Sequence, residues 1–292
     1  MIEELKTFIA VVEHKNFTKA ANAIHLSQPS VSLHIKHLEK YFNTTLIQRS
    51  VKQKNIYITD SGNILYERSK EVVRIIEDTK DDFLHYENIV KGRLRIGASY
   101  TIGEYLLPRF LGQFTKAYPD LELEVTIGNT HDICEKVKSF QVDIALVEGT
   151  VPSSHFIVNH FYKDTMVIAV PYNYYLINEN FSSDVLGNQT WISRELGSGT
   201  RECLIQFLST NNISANNIIV FSSNYSVKEA VRNNLGITFI SSLVTEFPVV
   251  NREISIIKTP QDYTRNFSYI LQKGIVPSKG TLVFIDMLKS FI

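Results

Sequence analysis

Cysteine is scarce: Cys134 and Cys203 are the two in 292 residues. Their wide separation fits neither a disulfide framework nor a zinc-ligand pattern. Both are expected as buried thiols in a reducing compartment. No apolar run approaches the ~18 residues that a membrane span needs. The opening Met1-Ile2-Glu3-Glu4-Leu5-Lys6 lacks the basic-then-apolar layout of a signal peptide, which disfavours secretion and points to the cytoplasm. Catalytic motifs are missing as well. There is no Walker Lys-Ser/Thr ending, Rossmann glycine spacing, Gly-x-Ser-x-Gly elbow or paired metal motif. No enzymatic activity, cofactor or metal is therefore expected. Net charge is also absent, since 30 Lys and Arg balance 30 Asp and Glu.

The balance hides three different parts. Residues 1–59 hold eight Lys and Arg against four acids, with four histidines besides; residues 60–90 hold four bases against eight acids; the rest is even. A basic head, an acidic connector and a neutral body are predicted. The length favours two or more domains, and a hydrophobic content of 44% is enough for real cores.

In the head, Leu5, Phe8, Ile9 and Val12 have the spacing of one buried helical stripe. Asn16-Phe17 breaks this helix, and Thr18 can cap a second that contains the small Ala20 and Ala21. After a turn at His25-Leu26, Ser27 reads as the N-cap of a third helix, with Gln28 first and Pro29 in the opening turn. That helix runs to about Tyr41, with a core stripe of Val31, Ile35, Leu38 and Phe42. Two short helices with a tight turn form a helix-turn-helix, whose second helix enters the DNA major groove. At helical pitch, Leu33, Lys36, His37 and Lys40 point away from the core stripe, and Ser30 and Ser32 flank them. The face pattern alone equally fits a solvated helix of an ordinary bundle.

The connector places Leu65, Val72, Ile76 and Phe83 at intervals of seven, four and seven, and no Gly or Pro follows Gly62. This spacing predicts a long amphipathic helix over about 60–88 with a seam wide enough for a partner helix. Pairing with the same helix of a second copy is expected, and packing on its own body is the alternative. After Lys91-Gly92, strands alternate with helices. Strands are expected at 93–98, 121–127, 142–147, 166–170, 191–193, 218–221, 237–240 and 267–271. Helices are expected at 104–118, 131–141, from 200, from 226 and at 280–292. Such repeats imply α/β sheets, whose ligands gather at the carboxyl ends of strands. Those ends carry Ser99, Tyr100 and Thr101, Asn129-Thr130, Glu148-Gly149-Thr150, Gly197-Ser198-Gly199-Thr200, and Ser222-Ser223-Asn224. Hydroxyls and free N–H groups at helix starts can hold a small anion without a catalytic residue.

Phe8-Ile9-Ala10-Val11-Val12-Glu13, Asn16-Phe17-Thr18-Lys19-Ala20-Ala21, Leu26-Ser27-Gln28-Pro29-Ser30-Val31-Ser32, Ile35-Lys36-His37-Leu38-Glu39, Thr45-Leu46-Ile47-Gln48-Arg49 and Ile58-Thr59-Asp60-Ser61-Gly62 follow one another in order. This head closely resembles that of the LysR-type transcriptional regulators. The resemblance implies an α+β multidomain chain. A winged helix-turn-helix (1–59) and a linker or dimerisation helix (60–90) would precede a two-lobed, periplasmic-binding-protein-like effector domain (91–292). Its first lobe would span about 93–163 plus 266–292 and its second about 164–265, with the ligand between them. The wing would be a hairpin from about Arg49 to Ile58, whose Arg49, Lys52 and Lys54 suit phosphates. The implied DNA contacts are Thr18, Ser27, Gln28, Pro29, Ser30, Ser32, Leu33, His34, Lys36, His37, Arg49, Lys52 and Lys54. The implied effector contacts are Ser99, Tyr100, Thr101, Thr130, Glu148, Gly197, Ser198, Gly199 and Thr200. Leu33 stands where the family often has a base; an apolar side chain there favours a thymine methyl.

The implied partners are double-stranded DNA with an approximately palindromic operator, a small anionic metabolite, and further copies of the chain in a homodimer or homotetramer. No membrane partner is implied. Ile96-Gly97-Ala98-Ser99-Tyr100-Thr101-Ile102-Gly103, with Gly197-Ser198-Gly199-Thr200-Arg201, is similar to the branch of this family that activates sulfite reductase operons. That likeness points to activation of sulfur assimilation genes. A cytoplasmic small-molecule-binding protein or an enzyme of the same two-lobed fold is the other reading. A transport binding protein would share the body but have no use for residues 1–59.

Overall fold

The computed structural model describes residues 1–49, 56–84, 90–175 and 182–291. It divides into two compact units, Met1–Asn88 and Ile89–Ile292.

The first unit opens with α1 (Ile2–His14), α2 (Phe17–Ala23) and α3 (Gln28–Tyr41). Leu5, Phe8 and Val11 of α1, Ala20 and Ala21 of α2, and Val31, Ile35 and Leu38 of α3 form its core. Ile9 and Val12 are only half buried, so the core edge of α1 lies towards Thr7 and Val11. Phe42, expected in the core, is 44% exposed because it lies beyond the last turn of α3. Asn16, not Thr18, caps α2: its side chain accepts from the N–H groups of Thr18 and Lys19, both at 2.9 Å. Asn accepts in the cap position where Thr18 already lies inside the first turn. Ser27 caps α3 as expected, accepting from Ser30 N–H at 3.2 Å. Glu39 of α3 accepts from the N–H groups of Leu46 and Ile47, which fixes the start of the next segment. There β1 (Ile47–Arg49) pairs antiparallel with β2 (Ile56–Ile58). The last helix of the unit, α4, is Asp60–Leu84.

The second unit is two α/β lobes joined through shared strands. In the first lobe, β3 (Gly92–Ser99) lies parallel to both β4 (Leu121–Gly128) and β5 (Ile144–Glu148). A π-helical turn (Ile102–Leu106) continues into α5 (Leu107–Ala117), and α6 (Thr130–Lys138) joins β4 to β5. The lobe core is aromatic, with Phe110 5.7 Å from Phe114 and 5.0 Å from Phe284. Burying each such ring is worth roughly 1.5–3 kcal/mol.

Next comes β6 (Phe156–Pro171), which is sixteen residues long. The sequence shows only its apolar end, 166–170; its first half is exposed or half buried after Phe156 and includes Asn159, His160 and Lys163. The second lobe follows with α7 (Ser183–Gly187), β7 (Thr190–Arg194), α8 (Gly199–Thr210) and β8 (Asn217–Phe221). Then come α9 (Asn224–Arg232), β9 (Thr238–Ser241), α10 (Ser242–Val250) and β10 (Ile254–Ile257). Three elements, α7, α10 and β10, are not apparent in the sequence. Pro248 inside α10 masks that helix, and the other two are only five and four residues long. The chain then crosses back along β11 (Tyr263–Gln272) and closes with α11 (Lys279–Phe291). β11 pairs antiparallel with β5 and with β6 along its whole length, while the far end of β6 pairs with β9 and β10. Phe207 stacks on Phe239 at 4.3 Å and packs near Trp191 in the second lobe's core. No helix among the described residues is long and apolar enough to cross a membrane.

Candidate functional site

Two sites are built from these elements. The first is the outward face of α3. Val31, Ile35 and Leu38 bury one side, which leaves Leu33, Lys36, His37 and Lys40 exposed on the other. Leu33 is 51% exposed. The helix start is polar. Ser27 Oγ lies 2.7 Å from Ser30 Oγ, and Gln28 Nε2 donates to Ser32 Oγ at 3.0 Å. Pro29 occupies the first turn, where its missing N–H costs nothing. His34 is held from behind by Thr7 at 2.8 Å, and His37 by Glu4 at 3.1 Å. Glu4 lies below the usual carboxylate range through its bond to the N-terminal ammonium, with His37 contributing. Thr18 is exposed in the first turn of α2. The strands of the hairpin flank this unit, but Lys52, Lys54 and the Arg49 side chain lie outside the described residues.

The same unit carries an apolar groove of about 480 Å³, lined by residues that include Leu5, Phe42, Leu46, Ile64, Leu65 and Val72. Ile64 and Phe83 of α4 are 67% and 71% exposed. Leu65 and Ile76 are half buried, so the expected seam is split between the unit's own core and the open face.

The second site lies between the lobes of the second unit. Ser99 ends β3, and Thr101 opens the helical turn after it. Both hydroxyls donate to the carboxylate of Glu148 at the end of β5, Thr101 at 3.1 Å. Thr130 Oγ1 donates to the Glu148 carbonyl at 2.8 Å. From the opposite lobe, Gly199 at the start of α8 packs so closely on that carbonyl oxygen that any Cβ would collide with it. Gly197, at φ +85, donates no side chain either; its carbonyl accepts from His131 N–H across the cleft at 3.0 Å. Ser198 and Thr200 are buried beside it.

Apart from His131, these residues are the ones that the sequence places at strand ends; the arginines that organise them are not apparent there. Arg265 of β11 donates to Asp164 at 2.8 Å, to Thr200 at 3.1 Å and to Thr101 at 3.1 Å, and lies 3.9 Å from Glu148. Burial opposes its charge, yet Glu148 and Asp164 together raise its pKa. For Asp164 burial wins, and its carboxyl is pushed up despite Arg265 and Ser241. Arg194 ends β7, is buried, and donates to Glu195 at 2.7 and 2.8 Å and to Asn224 at 2.5 Å. Its guanidinium lies 4.5 Å from the centre of the Tyr100 ring. Burial tends to raise Glu195, but its bonds to Arg194 hold it below the usual range. Asn224 Nδ2 donates to Thr101 at 3.1 Å and so ties the lobes together. Glu104 is pushed up by burial, with Arg194 opposing and Glu148 adding to the rise. The available signal was a basic residue inside an apolar strand, Arg194 after Trp191-Ile192-Ser193 and Arg265 before Phe267.

Comparison with known proteins covers both sites. Residues 2–63 match the model of the bacterial regulatory helix-turn-helix proteins of the lysR family, and residues 88–291 match that of the LysR substrate binding domain. The chain is 45% identical to the HTH-type transcriptional regulator CysL of Bacillus subtilis (strain 168), over 98% of this chain and 96% of that protein. Among solved structures it resembles full-length CbnR complexed with its target DNA, at a TM-score of 0.71, 17% identity and full coverage of both chains. It also resembles the CcmR regulatory domain of Synechocystis PCC6803 in complex with 2-PG, at a TM-score of 0.62 and 24% identity, over 69% of this chain and 97% of that one.

Proposed function

The chain belongs to the LysR family of bacterial transcriptional regulators, and from that premise we propose how its parts divide the work. Residues 1–59 bind operator DNA, 60–90 pair two copies, and 91–292 receive a small metabolite between two lobes at about 93–163 plus 266–292 and 164–265. The protein works in the cytoplasm.

The observation that carries this reading is α3. Its apolar side is locked into a core, and its other side presents hydroxyls, amide, imidazoles and lysines to solvent. That is the chemistry of base edges and phosphates. Ser27, Gln28, Ser30 and Ser32 meet the duplex at the helix start, Lys36 and His37 along its length, and Leu33 lies against a thymine methyl. Thr18, Pro29 and His34 border that contact, and the wing's Arg49, Lys52 and Lys54 take phosphates. The CbnR–DNA complex supports the same use of this architecture. Two copies related by a dyad require an approximately palindromic operator, and the exposed apolar face of α4 beside the groove is the surface they bury. A tetramer pairs two such dimers through a second, separate contact.

The effector is a small anion received among Ser99, Tyr100, Thr101, Thr130, Glu148 and the Gly197-Ser198-Gly199-Thr200 loop, whose hydroxyls and N–H groups are its donors. Hydroxyls and a helix start in a dry cleft support that class, as does the 2-PG complex of CcmR. The likeness to sulfite-reductase-operon activators and the 45% identity to CysL favour sulfur assimilation genes as targets. Effector binding changes lobe contacts and thereby the spacing of the DNA-binding heads, to the extent that the effector prefers one lobe arrangement.

Footprinting of the full-length protein on its own promoter tests this. Protection of a dyad-symmetric site that changes with a sulfur metabolite is expected. No preference for that promoter over random duplex at moderate ionic strength overturns the regulatory reading. Leu33→Arg is expected to shift base preference at one position of each half-site in a substitution panel; an unchanged preference removes Leu33 as a reader.

A further inference from the structure

The cradle at the mouth of β3 is already full. Ser99 and Thr101 offer two hydroxyl donors in a buried pocket with the Arg265 guanidinium 3.9 Å away, which is the donor set that a ligand carboxylate requires. The group that occupies it is the side chain of Glu148. Two of these partners are also engaged elsewhere. Thr101 Oγ1 accepts from Asn224 and Arg265, and Arg265 also holds Asp164 and Thr200. Arg265 stands between two buried carboxyl groups, Glu148 and Asp164. A second carboxylate cannot share the cradle, because the Glu148 side chain already takes the one proton that each hydroxyl can donate.

From this we infer that Glu148 is a tethered stand-in for the effector's carboxylate. In the effector-free protein it fills the Ser99–Thr101 cradle, and a small carboxylate effector takes the cradle by displacing it. The inference rests on the inter-lobe cleft being the effector site. The backbone of Glu148 stays fixed during this exchange, because Thr130 holds its carbonyl and Gly199 packs on the same oxygen. Only the side chain rotates. Its departure removes the Arg265–Glu148 attraction and one acceptor from Thr101, the residue that Asn224 grips from the other lobe. Displacement and lobe contact are therefore one event. The chemical class that fits is a monocarboxylate or a group of like shape, matched to the two hydroxyls.

Chemical rescue tests this. Full-length Glu148→Ala is unfolded by heat in sodium acetate or sodium chloride of equal ionic strength, followed by the fluorescence of the single tryptophan, Trp191, which is buried in the second lobe. The variant is expected to melt several degrees below the native chain and to recover saturably with millimolar acetate but not with chloride. The native chain is expected not to respond, and Glu148→Ala with Ser99→Ala is expected to lose the recovery. Equal effects of acetate and chloride on Glu148→Ala, or an equal acetate response in the native chain, overturn the stand-in. If Glu148→Ala does not fold, Glu148→Gln is used: at least tenfold tighter acetate binding than in the native chain is expected, and equal binding overturns the inference. Promoter footprints separate the two readings. Acetate recovery with a footprint blind to every metabolite rejects the effector cleft. A metabolite-sensitive footprint without recovery rejects the stand-in alone.

Discussion

Arg265 shows how much one side chain can hold together. It is buried and serves Asp164, Thr101 and Thr200 while standing near Glu148. Arg265→Met leaves two carboxylates buried without their cation, and such a loss costs about 3–5 kcal/mol. Urea unfolding followed at Trp191 is expected to show a shift of that size, and adding Asp164→Asn is expected to return part of it. Glu195 gives a pH signature. Burial raises its carboxyl, but its bonds to Arg194 hold it below the usual carboxylate range in the folded chain. A depressed acid stabilises the fold above its unfolded value and loses that contribution as pH falls through its folded value. Glu195→Gln is therefore expected to melt below the native chain at pH 7 and to converge with it in acid, as read by melting curves from pH 7 to pH 3. These charges were the least legible part of the sequence. Ser99, Thr101, Thr130 and Gly199 announce themselves as loop and cap residues after strands. Arg194 and Arg265 sit inside strands, where only packing from the other lobe decides whether a basic side chain points inward.

At the scale of elements, short-range rules were readable where a single residue type dominates. Ser27 and Pro29 mark the start of α3 because a hydroxyl acceptor and a residue without an N–H each suit one position of a helix start. The same reasoning put the cap of α2 two residues late, since both Asn16 and Thr18 can accept and only the chain's entry angle chooses between them. Asn16→Ala removes an acceptor for two N–H groups. It is expected to lower the stability of the first unit by about 1 kcal/mol, measured by thermal unfolding followed by circular dichroism, without changing base preference. The first half of β6 was not legible. Its ladder with β11 is set by residues a hundred positions away, as in His160 opposite Ser268. By contrast, β5 reads directly as an apolar run because all of its residues are buried.

At the scale of the whole molecule, charge and hydrophobicity sort the chain into parts before any element is drawn. The basic head and the acidic helix after it fall in the first compact unit, and the neutral body makes the second. The seam of α4 was legible as a period, but not its sharing. Leu65 and Ile76 are partly covered by their own unit, while Ile64, Val72 and Phe83 face outward. A single copy leaves that apolar face and the adjoining groove in water. Ile64→Glu puts a charge where a second copy would bury carbon, and is expected to move the protein to a smaller species in sedimentation velocity at micromolar concentration. Operator affinity is expected to fall with it, because one head then binds one half-site.

The two long strands β6 and β11 have a mechanical consequence. Each runs unbroken from one lobe into the other, and they are laddered to each other along the way, with a single change of register between Phe267 and Ser268. A flexible tether would let the lobes drift apart, but a laddered double ribbon resists stretching and yields to torsion. A rotation of one lobe against the other is therefore expected to twist this ribbon, with its easiest turning point at that irregularity.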